Sequence, residues 1–325
     1  MKTINNCKRL IFVYLFTLFY LGCGGSNIPE FLQGKILFLG DSITHNGTYV
    51  SLIEYELVQQ FPNQQFDVIA IGLSSETVSG LTEPGHPYPR PCVLDRLDSA
   101  LTILKPDIVA VCYGMNDGIY HPQSEERFGA YKNGMTKLID KVKAAGARII
   151  LLTPPPFDPD PIQEKLADDN AQTYGYNSPY SRYNLVLQDY ASWLKTVQQP
   201  DILTVDFNTD MSEYLNAQRQ TQPNYTFSKD GVHPDTAGHL IMARSFLHAV
   251  GITTDTTDVQ VAIAGIQSSE LFKLVNDRRA LRSNAWRKRI GHTHKKEWPG
   301  LPVEEAEEKA AQLYMEIKNM SVQKE

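Results

Sequence analysis

Two motifs that mark common classes of hydrolase are missing from the sequence. It contains no Gly-x-Ser-x-Gly, the nucleophile turn of the α/β-hydrolase fold, and no His-Glu-x-x-His, the zinc-binding pair of many metalloproteases. His292 and His294 lie in a lysine-rich segment, which is more typical of a solvated pair than of a metal site. The sequence therefore predicts no metal and no other cofactor.

Cysteine is scarce, and positive charge is not in excess. Four cysteines occur in 325 residues without metal-ligand spacing, and only Cys92 and Cys112 would remain after removal of an N-terminal leader. We expect two buried thiols, because Cys112 lies in an apolar run and Cys92 in a proline-rich loop. The formal net charge of −6 argues against nucleic acid as a partner, since phosphate binding needs a basic face.

The N-terminus has the pattern of an export signal. Basic residues precede an apolar run over 10–21, which is shorter than the ~20 residues of a spanning helix. The run ends at Leu21-Gly22-Cys23, which resembles a bacterial lipobox. We predict a signal peptide over 1–23 with lipidation of Cys23, a tether over 24–33, and a periplasmic or outer-membrane-associated lipoprotein that meets the membrane only through this anchor. The alternatives are a secreted soluble protein and an uncleaved anchor.

Residues 34–250 alternate short apolar segments with longer amphipathic ones. The apolar segments have strand length and few polar interruptions, as in parallel strands covered on both faces: 35–39, 66–71, 107–112, 148–152 and 201–205. Between them, apolar residues recur at helical spacing over 49–60, 93–104, 130–145 and 183–197. This alternation predicts one parallel sheet with helices on both sides.

Four residues follow predicted strands within a few positions: Ser42, Gly72, Asn116 and Thr153. Because the carboxyl ends of parallel strands meet at one edge of a sheet, the loops that hold these residues should converge there. Asp230 and His233 stand three residues apart much further along the chain. The sequence thus contains a serine, an amide, a carboxylate and an imidazole in an order typical of an esterase.

These residues resemble the motifs of the SGNH (GDSL) hydrolase superfamily over roughly residues 34–250. The four matching blocks are Gly40-Asp41-Ser42, the glycine Gly72, Gly114-x-Asn116-Asp117 and Asp230-x-x-His233. The resemblance implies an α/β fold, a flavodoxin-like three-layer α/β/α sandwich with a five-stranded parallel sheet, and ester hydrolysis without a metal. It also implies that Ser42 is the nucleophile and that Ser42, Gly72 and Asn116 form the oxyanion hole.

The chemistry of the residue types supports this assignment. A serine hydroxyl is a poor nucleophile at neutral pH unless a base takes its proton, and histidine suits that task. Asp230 precedes His233 by about one helical turn, which is close enough to fix the imidazole tautomer. Two backbone N–H groups, of Ser42 and Gly72, and the Asn116 amide would stabilise the oxyanion.

Each residue also has an ordinary structural alternative. Ser42 and Asp230 are both typical helix caps, and Asn116 with the aspartate after it is a common turn former. His233 alone would be read as a surface histidine. The second block also departs from the family, because position 70 is Ala where the family usually has asparagine and no glycine follows Gly72 closely. The joint order of the motifs favours the catalytic interpretation.

The substrate is indicated less directly. Proline-rich loops over 84–91 and 154–161 and four tyrosines over 174–183 are typical of a cleft that binds polyhydroxylated ligands, since rings stack on sugar faces. The tyrosines would otherwise pack their loop onto the body. We predict an O-acyl, and specifically O-acetyl, carbohydrate esterase that acts on a small-molecule or glycan ester. A lysophospholipase or thioesterase and a catalytically silent glycan-binding lipoprotein are the alternatives.

The C-terminal part, 251–325, is predicted to be a helical extension. A basic stretch over 273–296 should form a solvated face paired with nearby glutamates, and 302–320 has the spacing and charge order of a helix. Trp286 and Trp298 would anchor this extension to the main domain or border the cleft, and anchoring is the usual role of an isolated tryptophan.

Overall fold

The computed structural model describes residues 28–255 and 257–322. The predicted signal peptide with Cys23 and residues 24–27 of the predicted tether lie outside the described residues, so lipidation and export stay predictions. Residues 28–33 differ from the predicted tether. They include a short 3₁₀ helix, Glu30–Leu32, and Leu32 is only 2% exposed because it packs against the core. The tether prediction is therefore wrong for these residues.

Five parallel strands form one sheet in the order β2-β1-β3-β4-β5. Their bounds are β1 Lys35–Gly40, β2 Asp67–Ala70, β3 Ile108–Cys112, β4 Arg148–Leu152 and β5 Ile202–Val205. The three central strands are buried almost throughout, which explains their continuous apolar runs. The five predicted strands and the predicted fold class are thereby confirmed.

Ten α-helices occur in the described part of the chain. They are α1 Ser42–Asn46, α2 Thr48–Gln60, α3 Leu94–Leu104, α4 Glu125–Ala144, α5 Tyr183–Thr196, α6 Phe207–Arg219, α7 Thr236–Ala249, α8 Val259–Gln267, α9 Glu270–Ile290 and α10 Val303–Val322. Helix α2 packs against α7 on one side of the sheet, and α3 packs against α4 on the other, as right-handed crossovers require. The result is an α/β/α sandwich with a helical C-terminal extension.

Local sequence sets where these helices begin. Helix α4 starts five residues earlier than its apolar spacing predicts, because Ser124 caps it and its hydroxyl accepts a hydrogen bond from Arg127 N. Asp41 caps α1 and Asp235 caps α7 in the same way. Both caps lie at the carboxyl edge of the sheet, so they fix the two helices that flank the candidate site.

The basic stretch of the C-terminal extension is solvated only in part, because its lysines and Arg289 are exposed whereas its other arginines are buried. Four arginines of α9 are buried and point into the main domain: Arg278, Arg279, Arg282 and Arg287. Arg278 pairs with Glu54 of α2, and Arg282 pairs with Asp67 of β2 at 2.7 Å. The solvated-face prediction is wrong for these four arginines, because helical spacing brings them to the face of α9 that contacts α2 and β2. The predicted pairing with a glutamate is present between Arg282 and Glu307, at 2.9 Å. The predicted helix over 302–320 is confirmed as α10.

Cys112 is buried and Cys92 is half-buried, and both thiols are free. The prediction of a buried thiol is confirmed for Cys112, whereas Cys92 is less buried than predicted. Among the described residues, no helix has the length and apolar character needed to cross a membrane.

Candidate active site

The structure brings Ser42, His233 and Asp230 into one hydrogen-bonded line. His233 Nε2 lies 2.7 Å from Ser42 Oγ, and His233 Nδ1 lies 2.7 Å from Asp230 Oδ2. The serine follows β1, whereas the other two residues lie in the loop before α7, and His233 is 191 positions from Ser42 along the chain. This is the geometry in which an imidazole can take a proton from a hydroxyl while a carboxylate holds its second nitrogen.

Asp230 and His233 each stabilise the charged form of the other. The hydrogen bond that His233 donates to Asp230 outweighs desolvation and raises the pKa of His233 above its usual value. Desolvation opposes ionisation of Asp230, but the side chain and backbone N–H of His233 outweigh it and hold the Asp230 pKa well below its usual range. About half of each side chain is exposed, so the base is open to solvent and to a large substrate.

Asp230 is not a helix cap, because α7 begins later and is capped by Asp235. Asp230 Oδ1 instead accepts the backbone N–H groups of Val232, at 3.0 Å, and His233, at 2.8 Å. The turn between them needs Gly231, which has φ +79° and packs closely against its neighbours. The side chain of Asp230 therefore shapes the turn with one oxygen and orients the imidazole with the other.

Ser42 does not cap α1 either. Asp41 is the cap, and its Oδ1 accepts the N–H of Ile43 at 3.0 Å, which leaves the Ser42 hydroxyl for His233. The Ser42 N–H is the first of α1 and has no intrahelical acceptor. Burial raises the pKa of Asp41 to about 7. The N-terminus of α1 thus presents a hydroxyl and a backbone donor on the same residue.

Gly72 packs directly against α1. A β-carbon at this position would lie 2.5 Å from the carbonyl carbon of Thr44 and would also collide with the backbone N of His45. Only glycine permits this approach, which brings the turn after β2 within reach of the first turn of α1. Among the described residues, the Gly72 N–H has no hydrogen-bond acceptor, as expected of a group that binds a substrate oxygen.

Asn116 is buried at 4% exposure with a fixed amide orientation. Its Oδ1 accepts from Tyr120 Oη and its Nδ2 donates to Glu76 O, both at 3.2 Å. Asp117 Oδ1 accepts the N–H groups of Val78 and Ser79 at 2.8 Å each. The Asn-Asp pair therefore ties the loop after β3 to the loop after β2, which a simple turn former would not do.

Backbone strain collects in these two loops. Ser75, Ile119 and Tyr120 have φ of 63°, 46° and 59°. Left-handed backbone is costly for residues with a β-carbon, above all for β-branched Ile119, and such strain persists only where surrounding contacts enforce it.

Thr153, the fourth strand-end residue, takes no part in the constellation. Its hydroxyl contacts Asp206 Oδ1 at 3.2 Å and accepts the N–H of Asn208 at 2.9 Å, so it fixes the start of α6. The tyrosine-rich loop also differs from the predicted cleft lining: Tyr174, Tyr180 and Tyr183 are buried, and Tyr176 alone of the four is exposed, at 44%. Packing of the loop, the alternative, is correct for three of the four rings.

The extension reaches the edge of the site through an aromatic cluster. The Trp298 ring lies 4.6 Å from the rings of His45 and His294, and His294 Nε2 bonds Tyr88 Oη at 2.8 Å. His294 is only 8% exposed, so the prediction of a solvated histidine pair is wrong for it. Across 28–255 and 257–322, no three His, Cys, Asp or Glu side chains are grouped to hold a metal ion.

Sequence reasoning missed a buried group behind the site. Glu76 accepts from Arg96 Nε and Nη2 at 2.6 Å each and from Tyr113 Oη at 2.6 Å. Glu76 lies in the loop after β2, Arg96 in α3 and Tyr113 directly after β3, and neither spacing nor composition links them. A buried ion pair of this kind leaves no periodic signal in a sequence.

Comparison with known proteins identifies the family of the chain. The GDSL-like lipase/acylhydrolase family matches residues 38–241. An acetylxylan esterase from Geobacillus stearothermophilus is 25% identical over 241 residues, which are 67% of this chain and 94% of that protein.

Two solved structures are similar to this chain, and the first of them supports the fold. A gut microbial diltiazem-metabolizing enzyme superposes with a TM-score of 0.51 at 23% identity, over 67% of this chain and 47% of that one, so the present chain spans about half of it. A catalytic mutant of the acetylxylan esterase from Geobacillus stearothermophilus gives a TM-score of 0.49 at 23% identity, over 68% of this chain and 95% of that one.

The matched region runs from β1 into α7, covers more than half of the chain, and contains Ser42, Gly72, Asn116, Asp230 and His233. The chain therefore belongs to the GDSL-like lipase/acylhydrolase family of SGNH hydrolases and is a carboxylic ester hydrolase.

Proposed function

We propose that this esterase removes O-acetyl groups from carbohydrate through an acyl-serine intermediate, with Ser42 as nucleophile, His233 as base and Asp230 as its orienting carboxylate. The observation that carries the proposal is the line of two 2.7 Å hydrogen bonds from Asp230 through His233 to Ser42. The likeness to an acetylxylan esterase along nearly all of that enzyme's length supports the choice of acetyl and sugar.

The hydrogen-bonded line from Asp230 through His233 to Ser42 supports the following order of steps in the proposed reaction. Ser42 Oγ attacks the ester carbonyl as His233 Nε2 takes its proton, and the new oxyanion is bound by the N–H groups of Ser42 and Gly72 and by Asn116 Nδ2. Collapse breaks the bond to the sugar oxygen, which receives the proton from His233. Water then attacks the acetyl-serine, giving its proton to His233, and acetate leaves as the serine is restored.

The openness of the site supports a glycan substrate. His233 and Asp230 are each about half exposed, so a polymer chain can reach Ser42 without a tunnel. The exposed ring of Tyr176 lies 5.3 Å from the His86 ring and offers a face for a sugar. A long acyl chain would instead require a continuous apolar trough.

The test compares hydrolysis of para-nitrophenyl acetate, butyrate and octanoate and release of acetate from acetylated xylo-oligosaccharides. Wild type should prefer acetate, and Ser42→Ala should lose at least about 1,000-fold in kcat while remaining folded by circular dichroism. A preference for octanoate would point to a lipid esterase. Equal rates in both proteins would remove Ser42 as nucleophile, and no turnover in wild type would favour a silent glycan-binding protein.

A further inference from the structure

We propose that Arg287, in the C-terminal helix α9, is a positioning residue that holds Gly72 in the oxyanion hole, so that the extension completes the active site. The inference rests on the proposed function, because it assigns Arg287 a role in the same reaction. It is carried by a buried hydrogen bond: Arg287 Nε donates to Gly72 O at 2.7 Å, across 215 positions of sequence.

The two peptide planes that flank Gly72 are both held from behind. The first contains Ile71 C=O and Gly72 N–H, and Arg96 Nη2 donates to that carbonyl at 2.8 Å. The second contains Gly72 C=O, which Arg287 binds, and Leu73 N–H, which donates to Gly40 O at 2.9 Å. In a trans peptide the N–H points away from the C=O. Arg96 therefore holds the plane that carries the Gly72 N–H, and Arg287 holds the plane that follows it, so the backbone of Gly72 cannot rotate on either side.

The burial of Arg287 lowers the stability of the folded chain. Its side chain is among the largest that are fully buried, with the whole residue at 2% exposure. Its other hydrogen bond goes to Asn284 Oδ1 on its own helix at 2.9 Å, and among the described residues no carboxylate lies within ion-pair distance of it. Burial, together with the nearby charges of Arg96 and Arg279, lowers the pKa of Arg287 to about 9. A buried charge without a counter-ion costs stability.

That positive charge has a use during catalysis. In the proposed reaction the negative charge develops on the substrate oxygen that accepts from the Gly72 N–H, and Arg287 binds the carbonyl of the same residue. A fixed positive charge beneath the site favours the transition state over the neutral ester, which raises kcat more than it tightens substrate binding. The neighbouring imidazole of His45 responds to the same environment, since burial and then Arg287 lower its pKa to about 3.

Helix α9 also supplies a matched control. Arg282, five positions before Arg287, is equally buried and its Nη1 donates to Val68 O at 2.8 Å, but that carbonyl belongs to β2, before the Gly72 turn. Arg282 also pairs with Asp67 at 2.7 Å and Glu307 at 2.9 Å. Removing Arg282 should therefore cost more stability than removing Arg287, without touching the oxyanion hole.

The experiment measures kcat and KM for para-nitrophenyl acetate in the full chain and in Arg287→Gln, Arg287→Lys and Arg282→Gln, below each variant's melting temperature. We expect Arg287→Gln to lower kcat by about 10- to 100-fold with KM within about threefold, because it removes transition-state stabilisation. Arg287→Lys should recover most of the loss, since it keeps the charge and a donor. Arg282→Gln should keep kcat within about threefold despite a lower melting temperature.

A second readout is the rate at which a fluorophosphonate labels Ser42, which needs the oxyanion hole but no particular acyl group or sugar. Slower labelling of Arg287→Gln than of Arg282→Gln supports the inference. Equal kcat and equal labelling in wild type and Arg287→Gln, or parallel losses in both variants, would overturn it and leave the proposed function standing. Wild type that neither labels nor hydrolyses would overturn the proposed function and this inference together.

Discussion

Asn116 Nδ2 donates to the backbone oxygen of Glu76 at 3.2 Å, which links the loop after β3 to the loop after β2. The carboxylate of Glu76 binds Arg96 and Tyr113, so the same residue is held at both its backbone and its side chain. Arg96 also donates to Ile71 O, in the peptide that carries the Gly72 N–H. The Asn116 amide and the Gly72 N–H, two donors proposed for the oxyanion hole, thus belong to one buried network. Networks of this kind make the position of each donor depend on the others.

Removing the Asn116 amide should cost the reaction one oxyanion donor. We expect Asn116→Ala to lower kcat by about 100- to 1,000-fold. Tyr120→Phe, which only frees the amide from the Tyr120 hydroxyl, should cost about 2- to 10-fold. The double variant should be no slower than Asn116→Ala alone, because Tyr120 acts through Asn116. Steady-state kinetics on the acetate ester decide this, and simply additive losses would contradict it.

The Asp230–His233 bond predicts a pH effect. Hydrolysis requires unprotonated His233, whose pKa is raised by Asp230, so kcat/KM should rise with pH to a midpoint above about 6.5. In Asp230→Asn that support is lost and the midpoint should move to lower pH. The plateau should also fall by on the order of 10⁴-fold, because the amide favours the wrong tautomer. A pH–rate profile with an unmoved midpoint would argue against the assignment.

Asp41 predicts a pH-dependent stability difference. Burial raises its pKa to about 7, whereas an unfolded aspartate titrates near about 4. Between these values the folded chain keeps a proton that the unfolded chain has released, so stability falls as pH rises through this window and is level above it. Asp41→Asn keeps an oxygen for Ile43 N–H but cannot titrate. Its urea midpoint should therefore gain on wild type between about pH 4 and pH 7, whereas a constant difference would refute the effect.

Two glycines of α4 predict opposite effects of the same substitution. A β-carbon at Gly129 meets nothing within 4 Å, so Gly129→Ala should stabilise the helix by about 1 kcal/mol. A β-carbon at Gly134 would collide with the backbone oxygen of Val78, so Gly134→Ala should destabilise by about 1–3 kcal/mol. Urea denaturation of the two variants measures both signs, and a gain at Gly134 would show that the loop at Val78 yields easily.

Much of the sheet and the serine–histidine–aspartate line could be predicted because each depends on a local pattern. The strands have apolar runs, and Ser42, Asp230 and His233 sit in motifs of fixed order. The burial of Arg287 could not be predicted, since a basic residue on a helix is usually solvated and its partner is a backbone carbonyl far away in sequence. The burial of Leu32 was not predicted either, because a segment as short as 28–33 shows no period even though Phe31 and Leu32 are both apolar.

The same reasoning applies to the tyrosines of 174–183. Their composition fits both a ligand-binding surface and a packed loop, and only the tertiary contacts of Tyr174 and Tyr183 with backbone oxygens decide between these.

The bond between Arg287 and Gly72 also has a consequence for biosynthesis. A ribosome that has reached residue 250 has already made Ser42, Asp230 and His233, but it has not yet made the guanidinium that fixes the Gly72 turn. Contacts between residues so far apart form late, because the closing of a long loop must come first. We therefore expect the sheet of a nascent chain to fold before the Gly72 turn is fixed, with full esterase activity appearing only when α9 docks.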